Sequence, residues 1–321
     1  MGFIPRLCLV AQRKGMVIKM NENSVFFKGF KPLSRKTTDT IQGYAFILIP
    51  VAVIALFGIY PAINVFIMSF QKFNMLAGGT ATFTGLSNYI GFINDPSFWQ
   101  SFQNTAFFTL LVVPLQTAIS LFFAVLINHK IKGITFFRTV FFFPVVISFV
   151  VVSIFWKMIY DPNYGLANSV LSFLHIPTQQ FLIDPNQAMI SVIVMCIWKS
   201  WGWYMVIFLS GLQDIPNELY ESSYLDGASA FRRFFSITLP LLKRTTYFVL
   251  IMTMIDSFKI FTPIYIMTGG GPLGSTDTLV HYIWNTAFRM NEMGSATAMS
   301  ISLFIVVFLL TLAQMKTEKE D

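Results

Sequence analysis

The sequence predicts an all-α integral membrane protein, and three observations carry that reading. Of the 321 residues, 55% are hydrophobic and only 12% are charged, where water-soluble domains carry about a quarter charged. The apolar residues arrive in blocks of about 20 or more, and a helix needs about 20 of them to cross about 30 Å of hydrocarbon. The basic residues fall almost entirely on alternate connecting segments. A soluble protein of this size and composition has too little polar surface to cover its core.

Six apolar blocks stand out, at 43–70, 101–128, 139–160, 188–211, 246–267 and 292–315. Loops rich in Pro, Gly, Asn and charge separate them. Pro50, Pro61, Pro114, Pro144 and Pro263 lie inside the blocks. Membrane helices tolerate proline where neighbouring helices satisfy the freed carbonyl. Each proline reads singly as a kink, and the set reads as a bundle around a cavity.

Charge orients the bundle. One side collects eight Lys and Arg in residues 1–42, three in 129–138, four in 212–245 and two in the tail. The other side receives only Lys72 and Arg289. Lys157, Lys199 and Lys259 lie within or at the ends of apolar blocks. The positive-inside rule then places both termini in the cytoplasm. The net charge of +7 is thus a topology signal, spread over four segments, and nucleic acid is not an expected partner.

Residues 1–42 read as a basic cytoplasmic arm, since they hold no full apolar span and no small-residue cleavage site. Residues 43–315 form the six-span domain and 316–321 a short tail. Cys8 lies in the arm and Cys196 in a span, so neither a disulfide nor a metal site is expected. External segments carry Phe83-Thr-Gly-Leu-Ser-Asn-Tyr89, Asp95-Pro-Ser-Phe-Trp99, Thr268-Gly-Gly-Gly-Pro272 and Thr276-Asp-Thr-Leu279. Gly269 and Gly274 have the spacing of a phosphate-binding loop, but Ser275 stands where its lysine is required. The chain therefore reads as neither an ATPase nor any other enzyme, with no catalytic residues.

The cytoplasmic segment 212–245 has its own pattern. Pro216 suits a helix start. Asn217 to Leu225 suits a short helix, with Glu218 and Glu221 early in it, where the helix dipole favours acid. Gly227 permits a sharp turn. Ala228 to Phe235 suits a second short helix, and Pro240 sets the start of the next span. Two short helices at an angle make a knob, on which the small side chains of Ser222 and Ser223 allow close approach to a partner.

The spacing of Glu221, Gly227, Ile237, Leu239 and Pro240 resembles the EAA loop of ABC importer permeases, with Ser222 and Ser223 replacing its two alanines. The resemblance implies that this loop, Asp226 included, docks into a groove on a cytoplasmic ATPase. Across residues 40–315 the six spans, the Asn-Tyr and Phe-Trp elements and the Gly-Gly-Pro segment look like carbohydrate-uptake permeases, a family that includes maltose and glycerol-3-phosphate permease subunits. That likeness implies the six-helix core of the binding-protein-dependent ABC permease (MetI-like) fold. It also implies a multi-pass protein of the bacterial inner membrane. Its partners would be a second homologous permease, two ATPase subunits and an extracytoplasmic solute-binding protein. ATP and Mg would belong to the ATPase, and this chain would hold no cofactor.

The fifth block carries Thr253, Asp256, Ser257 and Lys259. Ionisable groups inside a span usually face a cavity or each other. Asp256 and Lys259 share a helix face, so they read either as an internal pair or as cavity groups. By likeness to sugar-contacting positions of the maltose permease, Thr253, Asp256, Ser257 and Ile260 fall on the substrate path, with Ser200 and Trp203 of the fourth block. Polar groups beside an aromatic platform suit a sugar. Rival readings are a permease for a polyol, glycerol-3-phosphate or an acidic oligosaccharide, and an ion-driven carrier in which Asp256 and Lys259 couple the ion. The EAA-like loop speaks against the carrier, which needs no ATPase knob.

Overall fold

The computed structural model describes residues 35–73, 81–128 and 133–320. Most of the expected arm, with Cys8, lies outside the described residues. The chain divides into two units, residues 1–60 and 61–321.

In the first unit, α1 (Arg35–Ile54) runs on through a π-helical turn, Ala55–Ile59. The helix begins at Arg35, inside the segment expected to be an arm. From Gly43 to Tyr60 its side chains are apolar and exposed. A helix apolar on every face is stable in lipid or in a large core.

In the second unit, α2 (Tyr60–Met68), which enters it at Pro61, leads to an antiparallel hairpin of β1 (Gln71–Phe73) and β2 (Ala81–Phe83), with Lys72 opposite Thr82. Helix α3 (Ser87–Ile93) holds this hairpin: Asn88 donates to Ser69 O at 2.8 Å and to Gln71 O at 3.0 Å. Helix α4 (Pro96–Ile127) starts on Asp95, whose carboxylate accepts from Ser97 N at 2.9 Å, and has proline in its first turn. Both are helix-start signals.

Helices α5 (Ile134–Val146) and α6 (Phe149–Ile159) meet at 96° across Ile147 and Ser148. The short α7 (Leu166–Phe173) follows, then α8 (Pro185–Gln213), capped by Asp184 as α4 is by Asp95. After α9 (Asn217–Leu225), α10 (Ala230–Arg233) and α11 (Leu239–Leu241) comes α12 (Lys243–Phe258). Helices α13 (Leu279–Phe288) and α14 (Met293–Glu320) complete the chain. Of the expected tail, residues 316–320 continue α14.

By length and composition, four helical stretches among the described residues can cross a membrane: Gly43–Met68, Pro96–Ile127, Pro185–Gln213 and Met293–Lys316. The count reaches six if each bent pair forms one span, the second pair being Ala230–Leu241 with Lys243–Phe258 at 69°. The third and fifth apolar blocks are therefore not single straight helices. The third breaks just past Pro144, and the fifth stops being α-helical at Phe258 and ends in a π-helical turn, Ile264–Thr268.

Helix α8 lies at the centre, packed against α4, α5, α6 and α12. Phe108, Met195, Val192 and Ile264 form one core; Met205, Phe208, Leu242 and Val249 form another. Polar bonds join the helices: Ser120 Oγ donates to Trp201 O at 2.9 Å, and Ser257 Oγ to Thr109 Oγ1 at 3.0 Å. Such bonds and small interface residues hold membrane helices together in place of the hydrophobic effect. At Gly202 a β-carbon would sit 2.4 Å from Phe141 O, so only glycine lets α5 approach α8 this closely.

Candidate substrate cavity and coupling segment

A cavity of about 310 Å³ opens between α4, α6, α8 and α12. Ser200, Thr253, Asp256, Ser257 and Ile260 all line it. The convergence of three of them follows from helix geometry: Thr253, Asp256 and Ser257 recur at the three- and four-residue spacing of one face of α12. Beyond Phe258 the chain leaves the helix, so Lys259, Ile260, Phe261, Thr262 and Pro263 contribute an irregular wall. Non-helical backbone at membrane depth is tolerated where it lines a cavity.

Trp203 does not line the cavity. It is about half exposed, with its ring centroid 6.4 Å from that of Phe142. Neighbouring helical positions point about 100° apart, so Tyr204 takes the inward face that Trp203 lacks. Tyr204 sits one turn from Ser200 and donates its phenolic hydrogen to Asp256 Oδ2 at 2.7 Å. The i to i+4 spacing from Ser200 is the signal that would have found it. The aromatic walls Phe108 and Phe149 carry no comparable signal, since phenylalanines crowd their blocks throughout, whereas Gln116, an amide within an apolar span, carries the signal of an inward-facing polar group.

Asp256 and Lys259 form no ion pair with each other among the described residues. Asp256 is engaged by Tyr204, and Lys259 follows the last helical residue, where α12 has ended. The internal-pair reading is therefore replaced by two groups that line one cavity separately.

The residues that follow the Gly-Gly-Gly-Pro segment, 274–279, support this wall. Asn104 on α4 donates to Gly274 O at 2.7 Å and to Asp277 O at 2.9 Å. Thr278 Oγ1 donates to Ile260 O at 3.2 Å, and Leu279 N donates to Thr105 Oγ1 at 2.8 Å. Beside it, Tyr282 donates to Asp95, the cap of α4. Burial, and then the Asp95 carboxylate, raise the Tyr282 phenol well above its ordinary pKa. The motif thus acts as a brace joining α4, α13 and the cavity wall.

The segment after α8 folds as short helices joined by a turn. Pro216 caps α9, and Gly227 follows it at φ 71°. A side chain at that φ costs about 1–2 kcal/mol, so glycine closes the turn. Ser229 starts α10 by accepting from Arg232 N at 3.3 Å. The second helix is shorter than expected and passes at Phe234–Thr238 into a π-helical turn that contains Ile237. Leu239 and Pro240 open α11, one turn before α12.

Arg233 locks the two halves: its guanidinium lies 4.0 Å from the Tyr224 ring centroid and donates to Ala228 O at 3.0 Å. Glu221, Ser222, Asp226 and Gly227 are exposed. Ser223 is buried and donates to Tyr220 O at 2.7 Å, so it packs the knob from within. Leu225, at 91% exposed, and Phe231, at 75%, add apolar area to the outer face.

Residues 116–316 match the model of the family described as binding-protein-dependent transport system inner membrane component. The chain is 36% identical over 282 residues to the probable ABC transporter permease YurN of Bacillus subtilis, covering 85% of this chain and 96% of that protein. It is 34% identical to the trehalose/maltose transport system permease MalF of Thermococcus litoralis, over 88% of this chain and 95% of the relative. Among solved structures, a bacterial ABC transporter involved in the import of the acidic polysaccharide alginate has a chain of the same fold. Its TM-score is 0.79 at 22% identity, over 89% of this chain and 99% of that one. The matched family region takes in α8, α12, most of the cavity lining and the whole segment after α8, and the chain belongs to the family of binding-protein-dependent transport system inner membrane components.

Proposed function

We propose that this chain is a transmembrane subunit of an ATP-driven importer, and that with a second, homologous permease it forms the path for a sugar or oligosaccharide delivered by an external binding protein. The observation that carries the substrate class is the cavity lining. Ser200, Gln116, Tyr204, Thr253, Asp256 and Ser257 offer hydrogen-bonding groups, and Phe108, Phe149 and Phe261 offer flat apolar faces. Sugars need both. Sugar-permease relatives, MalF of Thermococcus litoralis among them, support the same reading.

Glu221, Ser222, Asp226 and Gly227 face the ATPase, while Ser223, Ile237, Leu239 and Pro240 shape the knob and join it to α12. Closure of two ATPase subunits around Mg-ATP moves the knob, and α12 carries that motion to Thr253, Asp256 and Ser257. Both termini are cytoplasmic and the protein resides in the inner membrane. Trp203, half exposed on α8, faces lipid or the second permease rather than this chain's cavity.

A second reading, an anionic saccharide, draws on Lys259. It lines the cavity and makes no ion pair with Asp256 among the described residues. One experiment tests both. The chain is purified with its neighbouring ATPase and permease, and the cognate binding protein is screened by calorimetry against neutral sugars, uronate oligosaccharides and glycerol phosphates. The proposal expects co-purification of the ATPase and binding of a neutral sugar. Binding of a uronate or phosphate selects the second reading. A chain that purifies alone contradicts both.

A further inference from the structure

Helix α5 ends at Val146 and α6 begins at Phe149, and the intervening Ile147 and Ser148 are extended at ψ 139° and 140°. Such a break strips the last carbonyls of α5 of their helical partners. Within a membrane no water replaces those partners. Lys199 of α8 reaches this point. It is 5% exposed, its Nζ donates to Val145 O at 2.8 Å, and it lies 4.8 Å from the centroid of the Phe149 ring. Gly202, three residues on, brings α5 close enough for the contact. Phe149 and Ser200, the next residue after Lys199, both line the cavity.

One ammonium therefore touches the end of α5 and the start of α6 at the cavity wall. A lysine inside a span is costly to keep, and Met or Leu would fill the same space without the charge. The ammonium adds a donor for a stranded carbonyl and a cation for a ring face. The far end of α6 is held in a similar way: Lys157 Nζ donates to Ile266 O, in the π-helical turn Ile264–Thr268, at 3.3 Å.

We propose that Lys199 is a positioning residue of the cavity, which fixes the α5–α6 break and so holds Phe149 in the wall. This rests on the cavity being the substrate path. Its test uses no substrate, so it fails or succeeds apart from that reading.

The assembled transporter, in membranes and with Cys8 and Cys196 replaced, carries one cysteine at a time: Ile147→Cys at the break, Thr262→Cys in the cavity, or Ala298→Cys in the distant α13–α14 core. Labelling by a charged methanethiosulfonate is timed with Lys199 intact, then as Lys199→Met, Lys199→Gln and Lys199→Arg. Lys199→Met should speed labelling at 147 and 262 by about fivefold, the population shift expected from losing one interaction of about 1 kcal/mol. Position 298 should be unchanged, Lys199→Gln should lie between, and Lys199→Arg should restore the slow rate. Unchanged rates at 147 and 262 overturn the proposal, as does equal acceleration at 298. If Lys199→Met does not assemble, Lys199→Gln gives the same comparison. Failure of all three variants to assemble also overturns it, by assigning Lys199 to folding alone.

Discussion

Tyr204 on α8 donates its phenolic hydrogen to Asp256 Oδ2 on α12 at 2.7 Å, joining two helices at the wall of the cavity. Removing this donor with Tyr204→Phe should lower stability by about 0.6 kcal/mol and by no more than about 1.7, the range for hydrogen bonds between membrane helices. Asp256→Asn keeps an acceptor for Tyr204, so it should alter uptake or sugar preference more than stability. Thermal unfolding in detergent and uptake by the reconstituted complex separate the two effects.

Asp256 and Lys259 line the cavity without pairing, which fixes how their variants combine. Because they share one cavity, Asp256→Asn and Lys259→Met can couple by about 0.5 kcal/mol or more, but the double variant should not regain the stability lost in each single one. A double variant that regains the stability lost in each single one would restore the internal pair and remove Asp256 from the substrate path.

Gly227 at φ 71° has open space around it, so its backbone angle alone resists substitution. Gly227→Ala should cost about 1–2 kcal/mol in the turn. Gly227→Pro forces φ to about −65° and should distort it further. Uptake and ATPase association should fall while membrane insertion stays normal, read by pull-down and membrane fractionation. Full uptake by Gly227→Pro would remove the coupling role of this segment.

The charge asymmetry of the loops predicts sidedness. In a background without Cys8 and Cys196, Gly227→Cys should react with an impermeant maleimide only from the cytoplasm, and Gly270→Cys only from outside. Labelling of the 227 position on intact cells would invert the topology.

How much of this was legible in sequence depended on whether local chemistry decided the matter. Asn217–Leu225, the turn at Gly227 and the start at Pro216 follow from caps and glycine, which act within a few residues, and the helix bounds agree with them. Thr253, Asp256 and Ser257 share a face because helical periodicity is fixed, and they share the cavity. The break at Ile147–Ser148 was not readable as more than a proline kink. It is held by Lys199, distant in sequence, and nothing near Pro144 encodes that contact. Trp203 and Tyr204 exchange places for a related reason: which of two adjacent aromatics faces inward is set by α12, through Asp256. The Asp256–Lys259 spacing suggested a pair, but α12 ends at Phe258, and helix spacing no longer governs Lys259.

Under the proposed function, this chain moves its substrate only when an ATPase drives it through the 217–241 segment. The most direct test is uptake of the labelled sugar selected by the binding-protein screen, in proteoliposomes that hold the complete transporter. Uptake should require both internal ATP and external binding protein, be indifferent to proton and sodium gradients, and be lost in Gly227→Pro. Uptake by this chain without the ATPase, driven by an imposed ion gradient and abolished by Asp256→Asn, would contradict that function and make the protein a carrier.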